Sequence, residues 1–404
     1  MTEHLRKSVE RDRRRPAMPQ SIWALGFVSM FMDVSSEMIH SLLPVFLVAV
    51  LGAGATTVGL IEGIGEATAS ITKVFSGWLS DRLGRRKALT GIGYGLAAVS
   101  KPLFAIAPTA SWVLLARFSD RIGKGIRGAP RDALIGDLAP PEVRGAAFGL
   151  RQSLDTVGAF AGPTLALLLM ELSGYNFRLV FWLALIPGLV AVAILVLGVS
   201  EPARGRPRSE TPTPIRWAEM SRFGALFWGV VGVGAILTLA RFSEAFLVLR
   251  AVGVGLPIAL APLVLIVMNI IYALSAYPMG ALSDRCNRGS ILRIGFGILI
   301  VADLVLAFAG EIATVMIGIG LWGLHMGMTQ GLLSTLVADA TASELRGSAF
   351  GLFNLACGAA LLLASFIAGI LWQEVGPFAT FAVGAALTSA GLLASAILTV
   401  RGPA

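Results

Sequence analysis

The sequence has few cysteines, histidines and charged residues, and each of these shortages excludes a class of protein. Its 404 residues include 2 cysteines and 3 histidines, and only 14% of the residues are charged. The cysteines, Cys286 and Cys357, fall in a predicted loop and in a predicted helix, so neither a disulfide nor a zinc site is supported. The patterns G-x-x-x-x-G-K-S/T, G-x-S-x-G and H-E-x-x-H are also missing, which argues against ATP coupling and against common hydrolases. We therefore expect no enzymatic activity and no cofactor.

Apolar residues, in contrast, are abundant and occur in long runs. They make up 56% of the chain, whose mean hydropathy is +0.79, whereas soluble domains are about 45–50% apolar. A helix needs about 20 apolar residues to cross a bilayer, and continuous runs without alternating polarity exclude a β-barrel. We predict an all-α membrane protein of twelve transmembrane helices. The predicted spans are approximately 21–51, 56–80, 88–109, 112–135, 145–170, 178–199, 223–249, 259–282, 291–309, 313–337, 347–371 and 377–400.

The basic residues, which give a net charge of +8, collect on one side of the predicted membrane. They occupy the N-terminal tail, the loop between predicted helices 2 and 3, and the segment between helices 6 and 7, whereas the loops on the other side contain almost none. Because Lys and Arg favour cytoplasmic loops, we expect both termini in the cytoplasm. The short loops suit a multi-pass protein of the bacterial inner membrane. We expect it to be monomeric, to contact lipid and not to bind nucleic acid.

The chain divides into two related halves. Residues 201–221 are rich in Pro, Arg and Ser and cannot continue a membrane helix, so they are predicted to be a cytoplasmic linker. SGWLSDRLGRRK at 76–87 recurs as MGALSDRCNRGS at 279–290, and EVRGAAFGL at 142–150 recurs as ELRGSAFGL at 344–352. Two motifs that recur at almost the same displacement indicate a structural repeat. We predict a basic cytoplasmic tail at 1–20, a six-helix bundle at 21–200 and a second six-helix bundle at 222–404.

The first copy of the loop motif resembles the signature of the major facilitator superfamily, G-x-x-x-D-R-x-G-R-R-K. The matching residues are Gly77, Asp81, Arg82, Gly84, Arg85, Arg86 and Lys87, and the second copy keeps Gly280, Asp284 and Arg285. The resemblance implies two pseudo-symmetric six-helix bundles that rock about a central cavity. It also implies a latch, in which Asp81 pairs with the start of helix 11 near Arg346. A plain positive-inside anchor without a gating role is the alternative.

Two further motifs lie on predicted helices 4 and 5. Arg117, Gly123 and Gly125 are similar to the superfamily's R-x-x-x-G-x-G-x-G motif, with Arg121 in place of the first glycine. Arginines in the middle of a membrane should face a cavity or a counter-charge, so these residues either handle substrate and protons or form structural ion pairs. On helix 5, Gly158, Gly162 and Pro163 resemble the G-x-x-x-G-P motif of proton-antiporting exporters. The alternative for these three is a plain packing motif.

Acidic residues inside predicted helices are candidates for proton coupling, because an isolated carboxyl group in a low dielectric can gain and lose a proton near neutral pH. The candidates are Asp33, Glu37, Glu66 and Asp155. The helix-1 and helix-2 acids could instead pair permanently with basic residues. Asp33, Glu37 and His40 could also hold a transition metal, but so few His and Cys residues argue against a metal site.

Other polar residues in predicted helices are candidates for substrate binding. They are His40, Glu62, Arg117, Arg121, Arg151, Arg241, Glu244, Asn269, Tyr272, His325, Gln330 and Asn354. Among them, Arg151 can pair locally with Asp155, and Arg241 with Glu244. His325 could equally serve as a proton relay or as a hydrogen-bonded packing residue.

These observations together predict a secondary active transporter that moves a small molecule by alternating access, with proton-coupled efflux as the leading function. Uptake or exchange of an anionic metabolite held by the helix-4 arginines is the alternative. Transition-metal export and a sensor that no longer transports are minor alternatives.

Overall fold

The computed structural model describes residues 18–83, 85–140, 143–200, 223–283, 287–341 and 346–398, and these ranges contain helices and connecting turns but no strand. The first six helices are α1 (Gln20–His40, extended by Leu43–Val45 and the π-helical turn Phe46–Val50), α2 (Ala55–Leu83), α3 (Arg86–Ala105), α4 (Ala110–Leu138), α5 (Arg144–Leu172) and α6 (Phe177–Leu183 with Leu185–Gly198). The second six are α7 (Ala225–Ala240 with Ala245–Gly253), α8 (Ala261–Ser283, after the 3-10 turn Ile258–Leu260), α9 (Arg288–Phe308), α10 (Ile312–Asp339), α11 (Arg346–Glu374) and α12 (Pro377–Leu398).

Eight of the described helices, α1 and α5 to α11, are long and apolar enough to cross a membrane by length and composition alone. The described apolar part of α12, Pro377–Leu393, is shorter. Helices α2, α3 and α4 are less apolar because they carry the ionisable residues that the bundle interior contains, as shown below. The predicted all-α membrane fold is confirmed, and the twelve predicted spans match α1 to α12 in order.

The packing of the helices repeats between the two halves. In the first half, α1 packs against α5 and α6, α4 packs against α2 and α3, and α3 contacts α6. Each of these pairs recurs six helices later, as α7 against α11 and α12, α10 against α8 and α9, and α9 against α12. The chain therefore forms two pseudo-symmetric bundles, as the repeated motifs predict.

The two bundles meet through α2 against α11 and through α5 against α8. Glycines on α2 make the first of these contacts close. A β-carbon at position 59 would overlap the carbonyl oxygen of Ser365, and one at position 63 would lie 2.9 Å from that of Leu362. Small residues at such crossings let two membrane helices approach to backbone distance.

The interior is closed at one end. We call the end at which α1 begins and α2 finishes the basic end, because the basic loop motif lies there. At the opposite end, Leu43–Val45 packs against the second segment of α7, Ala245–Gly253. Leu43, Phe46 and Phe246 are fully buried in this contact region. The bundles are thus joined by an apolar seal on the side away from the basic end.

Candidate functional site

A cavity of about 300 Å³ lies between the two bundles and is lined by polar residues from both. The first half contributes Glu37, His40, Glu62, Glu66, Arg121 and Lys124, and the second half contributes Thr238, Arg241, Ser243, Glu244, Asn269 and Gln330. Aromatic side chains of Phe242 and Trp322 complete the wall. Such a concave site with a few convergent polar groups suits a small molecule.

On α1 and α2, the exposure of the ionisable side chains that face the cavity increases toward the basic end, from 14% at His40 to 24% at Glu37 on α1. On α2, Glu62 is 1% exposed, whereas Glu66, one turn nearer to the basic end, is 30% exposed. On α4, Arg117 and Arg121 are buried, and Lys124 is exposed. The cavity is therefore accessible from the basic end and sealed at the other.

Two ion pairs join α2 to α4 in register. Glu62 Oε2 lies 2.5 Å from Arg117 Nη2, and Glu66 Oε1 lies 3.2 Å from Arg121 Nη2. The second pair lies four residues after the first on both helices, so α2 presents a row of acidic side chains to a row of arginines on α4. Each buried arginine has a carboxylate partner, as the fold requires. Neither arginine is free to hold an anionic substrate in this arrangement.

His40 connects the α1 carboxylate of Glu37 to this row. Its Nδ1 lies 3.4 Å from Glu37 Oε2, and its Nε2 lies 3.4 Å from Glu62 Oε2. Glu37 therefore has a histidine partner, whereas Glu62 contacts both that histidine and Arg117. A change in the charge of Glu37 would reach the α2–α4 pair through a single side chain.

Asp33, one turn from Glu37 toward the basic end, is held more loosely. Its carboxyl group is 29% exposed and lies 3.7 Å from Arg127 Nη2, which is longer than a hydrogen bond. Arg127 itself is buried and stacks over Tyr94 at 4.7 Å from the ring centroid. In the part of the chain that the structure describes, neither α1 carboxylate has the short arginine contact that holds Glu62.

The glycines of the helix-5 motif lie directly against these two acids. A β-carbon at position 158 would lie 2.9 Å from the Cβ of Asp33, and one at position 162 would lie 2.6 Å from the Cβ of Glu37. Both glycines also approach the α1 backbone. The motif thus sets the distance between α5 and α1 at the positions of the two carboxylates.

A further buried ion pair lies on α3 and α4, and its members are not among the predicted site residues. Lys101 Nζ lies 2.7 Å from Asp120 Oδ1 and donates to Ser36 Oγ at 3.0 Å. Both charged groups are almost fully buried. The signal in the sequence is a lysine in an otherwise apolar helix, which demands an interior partner.

Near the basic end, Arg151 on α5 forms two ion pairs. It lies 3.4 Å from Asp155 Oδ2, which is the predicted local pair, and 3.3 Å from Asp132 Oδ1 on α4. Arg131 approaches the same Asp132 oxygen at 3.0 Å. Asp155 is therefore part of a network that links α4 and α5.

The predicted local pair between Arg241 and Glu244 is wrong. Helix α7 is interrupted between Ala240 and Ala245, so the helical spacing that would bring the two side chains together is lost. The amide of Ser243 donates instead to Ser365 Oγ on α11 at 3.2 Å. Arg241 and Glu244 both line the cavity, and no ion pair joins them in this described segment.

The remaining candidates of the second half divide between the cavity and the packed interior. Tyr272 donates its hydroxyl to Gln330 Oε1 at 3.2 Å, and Asn269 lines the cavity beside Gln330. His325, predicted as a possible cavity residue, faces α9 instead and donates through Nδ1 to the Gly295 carbonyl at 2.7 Å. Asn354 is half-buried on α11 and is not among the lining residues.

The sequence profile of the Major Facilitator Superfamily matches residues 25–268 and 245–404, which include both halves. The chain belongs to this superfamily. The MFS-type transporter MJ1317 of Methanocaldococcus jannaschii is 32% identical over 397 residues, covering 95% of this chain and 96% of that protein. Quinolone resistance protein NorA of Staphylococcus aureus is 26% identical over 222 residues, or 55% of each chain. A POT family transporter crystallised with 5-aminolevulinic acid has a TM-score of 0.78 at 13% identity and covers 95% of this chain and 98% of its own, which shows a shared fold.

The described part of the superfamily's loop signature ties α3 to its neighbours. Arg86 pairs with Asp137 at the end of α4 and donates to the Ala133 carbonyl at 3.1 Å, and Lys87 donates to the Val196 carbonyl on α6 at 3.0 Å. Gly77 allows α2 to approach Ala129. Arg82 and Arg85 are exposed.

The predicted latch itself lies outside the described residues. This applies to Gly84, Asp284 and Arg285, and to the side chains of Asp81 and Arg346 and the surroundings of Gly280. The pairing of Asp81 with the start of α11 remains a prediction. Within the described ranges, no group of three His, Cys, Asp or Glu residues is arranged to hold a metal.

Proposed function

We propose that this superfamily member is a secondary active transporter that exports a small molecule in exchange for protons. The observation that carries the proposal is the difference between the acids of α1 and that of α2. Within the described residues, Asp33 and Glu37 lack a short contact to an arginine and are partly exposed, whereas Glu62 is buried against Arg117 at 2.5 Å. A carboxylate that must load and release a proton needs loose partners and access to water.

The contacts of Glu37 suggest how proton and substrate would compete. Glu37 lines the cavity and shares His40 with Glu62. Protonation of Glu37 would weaken its ion pair with His40. Binding of a substrate group that displaces this proton would restore the negative charge of Glu37 and, with it, the ion pair. The charge of Glu37 would then depend on whether the cavity is occupied, and His40 would transmit that change to the ion pair between Glu62 and Arg117. Glu66 is the next candidate, although Arg121 holds it at 3.2 Å.

Two observations support export as the direction of transport. The glycines of the exporter-type motif on α5 contact both α1 acids. The cavity is accessible from the basic end, which we expect to face the cytoplasm, but importers and exporters both pass through such a state, so this feature alone does not select a direction. A relative over half of the chain is described as a quinolone resistance protein. In this proposal the protein is a monomer in a bacterial inner membrane with both termini cytoplasmic, and residues 21–200 and 222–404 are the two moving units around the linker 201–221.

Uptake or exchange of an anion is the second candidate, and it would use different residues from the helix-4 arginines. Lys124 from the first bundle and Arg241 from the second both line the cavity, and neither takes part in an ion pair within the described chain. An anionic group could bridge them. The same two cations could equally receive the acidic end of an exported zwitterion.

The purified protein in proteoliposomes, tested with a fluorescent quinolone and an internal pH dye, would decide between the two. We expect an imposed pH gradient to accelerate quinolone movement and the dye to record protons moving in the opposite direction. Movement of quinolone and protons in the same direction would favour uptake. Transport of the quinolone that ignores the gradient would contradict proton coupling.

A further inference from the structure

Asp303 lies on α9 in the apolar second bundle and is completely buried, at 0% exposure. Both of its carboxyl oxygens lack a hydrogen-bond partner among the described residues. Asp120 in the first bundle offers a direct comparison, because it is also buried but has Lys101 at 2.7 Å. Of these two interior acids, Asp303 is the one for which the fold provides no counter-charge.

The carboxyl group of Asp303 faces the point at which α7 is interrupted. A β-carbon at position 384 on α12 would lie 2.9 Å from Asp303 Oδ2 and 3.3 Å from the carbonyl oxygen of Ala240, so Gly384 leaves a space that both oxygens border. Ala240 is the last residue of the first α7 segment. Phe242 borders the same space and also lines the cavity.

Helix α10 places a second unsatisfied polar group at the same level. Gly318 contacts Leu306 and Gly295 contacts Thr329, so the antiparallel register of α9 and α10 places Trp322 level with Ala302, the residue before Asp303. The indole Nε1 of Trp322 is buried, and no described residue forms a hydrogen bond with it. Trp322 packs against Phe242, with 5.5 Å between ring centroids, and lines the cavity.

The other ionisable groups on the surrounding elements do not compensate Asp303. Arg241 and Glu244 on α7 line the cavity, and His325 on α10 is bonded to Gly295. Arg250, also on α7, reaches α9 but donates to the backbone carbonyls of residues 306, 307 and 309, and no ion pair joins it to Asp303 within the described ranges. On α11 the ionisable residues of the described helix include Cys357 and Glu374, and Pro377–Leu393 of α12 contains none. A carboxylate charge at Asp303 would therefore be both desolvated and unpaired, which proteins avoid by keeping such a group neutral.

We propose that Asp303 is a proton-binding site of the second bundle, which carries its proton in the conformation described here and is linked to the interruption of α7. The ionised group would place a negative charge across the Gly384 space from the carbonyl oxygen of Ala240, whereas the protonated group carries no net charge there. Loss of the proton would thus displace the α7 segment that carries Arg241 and Glu244, two residues whose side chains line the cavity. Only this consequence for transport rests on the proposed function; the proton-binding site does not.

Infrared absorption of the reconstituted full-length protein tests the site without any substrate. We expect the carbonyl-stretch band of a protonated carboxylic acid at neutral pH, shifted in heavy water and lost or clearly reduced in Asp303→Asn. The band should remain in the Glu311→Gln control, which changes an exposed acid. A spectrum of Asp303→Asn that is identical to that of the wild type would overturn the proposal.

The melting temperature of the variants is an independent test, and it is also informative if a variant folds poorly. A neutral Asp303 predicts that Asp303→Asn and Asp303→Leu melt no lower than the wild type. Asp120→Asn should melt several degrees lower, because it leaves Lys101 buried without its partner. A loss in Asp303→Asn as large as in Asp120→Asn would show that Asp303 is an ionised, partnered group and would overturn the proposal.

The link to α7 is tested by amide hydrogen exchange of residues 238–244. We expect wild type and Asp303→Asn to exchange alike at pH values at which the infrared band is present. Above the pH at which the band disappears, the wild-type segment should exchange faster than the permanently neutral variant. Equal exchange of the two proteins at every pH would contradict the link. These results do not depend on transport, so they remain informative if the proposed function fails.

Discussion

Glu37 on α1 lies directly against Gly162 on α5. A β-carbon at position 162 would come within 2.6 Å of the Cβ of Glu37 and within 2.9 Å of the carbonyl oxygen of Val34. One turn away, Gly158 has the same relation to Asp33. The glycine motif of α5 is therefore a packing motif whose position is significant, because it seats the helix that carries the two loosely held acids.

This contact predicts that Gly162→Ala displaces α1 and slows transport at least tenfold, with a destabilisation of about 1–3 kcal/mol typical of overpacking. Gly149→Ala on the same helix is the matched control, because a β-carbon there would meet no atom within 4 Å. Quinolone flux and thermal unfolding of the two variants check the prediction. Equal flux in both variants would show that the close approach is unimportant for transport.

The pair between Glu62 and Arg117 predicts a strong effect on stability. Glu62→Gln leaves a buried guanidinium without its carboxylate, and removal of one partner of a buried pair destabilises proteins by about 3–5 kcal/mol. The double variant Glu62→Gln/Arg117→Met should recover part of the loss, because it removes both charges. Thermal unfolding of the single and double variants measures this recovery. A double variant as unstable as the single variant would argue against the pair.

For Arg241 we expect an effect on substrate binding and none on stability. Its Nη1 is buried without a hydrogen-bond partner, and no ion pair is formed to Glu244 in the described segment. Arg241→Gln should therefore keep the melting temperature of the wild type while raising the KM for the quinolone severalfold, if the guanidinium contacts the substrate. An unchanged KM would remove Arg241 from the binding site, and a lower melting temperature would assign it a structural role.

The loop motif predicts a difference between its two copies. Asp81→Asn should lower the maximal transport rate severalfold and leave quinolone binding almost unchanged, because a latch acts on the conformational change and not on the cavity. Asp284→Asn should have a smaller effect, since the second copy lacks the Gly-Arg-Arg-Lys ending. Equal losses in the two variants, or a loss of binding, would contradict a latch in the first copy.

The arrangement of the helices could be predicted from the sequence because hydropathy marks each span and the repeated motifs relate the halves. The pairing of acidic residues on α2 with arginines on α4 could also be predicted, because both sets have the same spacing along the chain. Glu62 and Glu66, like Arg117 and Arg121, are four residues apart, so each set lies on one helix face.

The partners of other side chains could not be predicted, because the rotation of a helix about its axis depends on packing across the whole bundle. His325 turns toward α9 since Gly295 permits a close approach there, and nothing local marks that direction. The interruption of α7 contains no Pro or Gly between Arg241 and Glu244, so the usual sequence signal for a helix break is absent. The isolation of Asp303 likewise appears only once its neighbours are known.

The central claim, that the α1 acids exchange the transported proton, is tested most directly by comparing two kinds of flux in proteoliposomes. For Asp33→Asn and Glu37→Gln, we expect quinolone exchange across the membrane without a gradient to persist, whereas acceleration by an imposed pH gradient should be lost. Glu311→Gln, which neutralises an exposed acid outside the cavity, should retain both. Full acceleration by the gradient in both α1 variants would contradict the account.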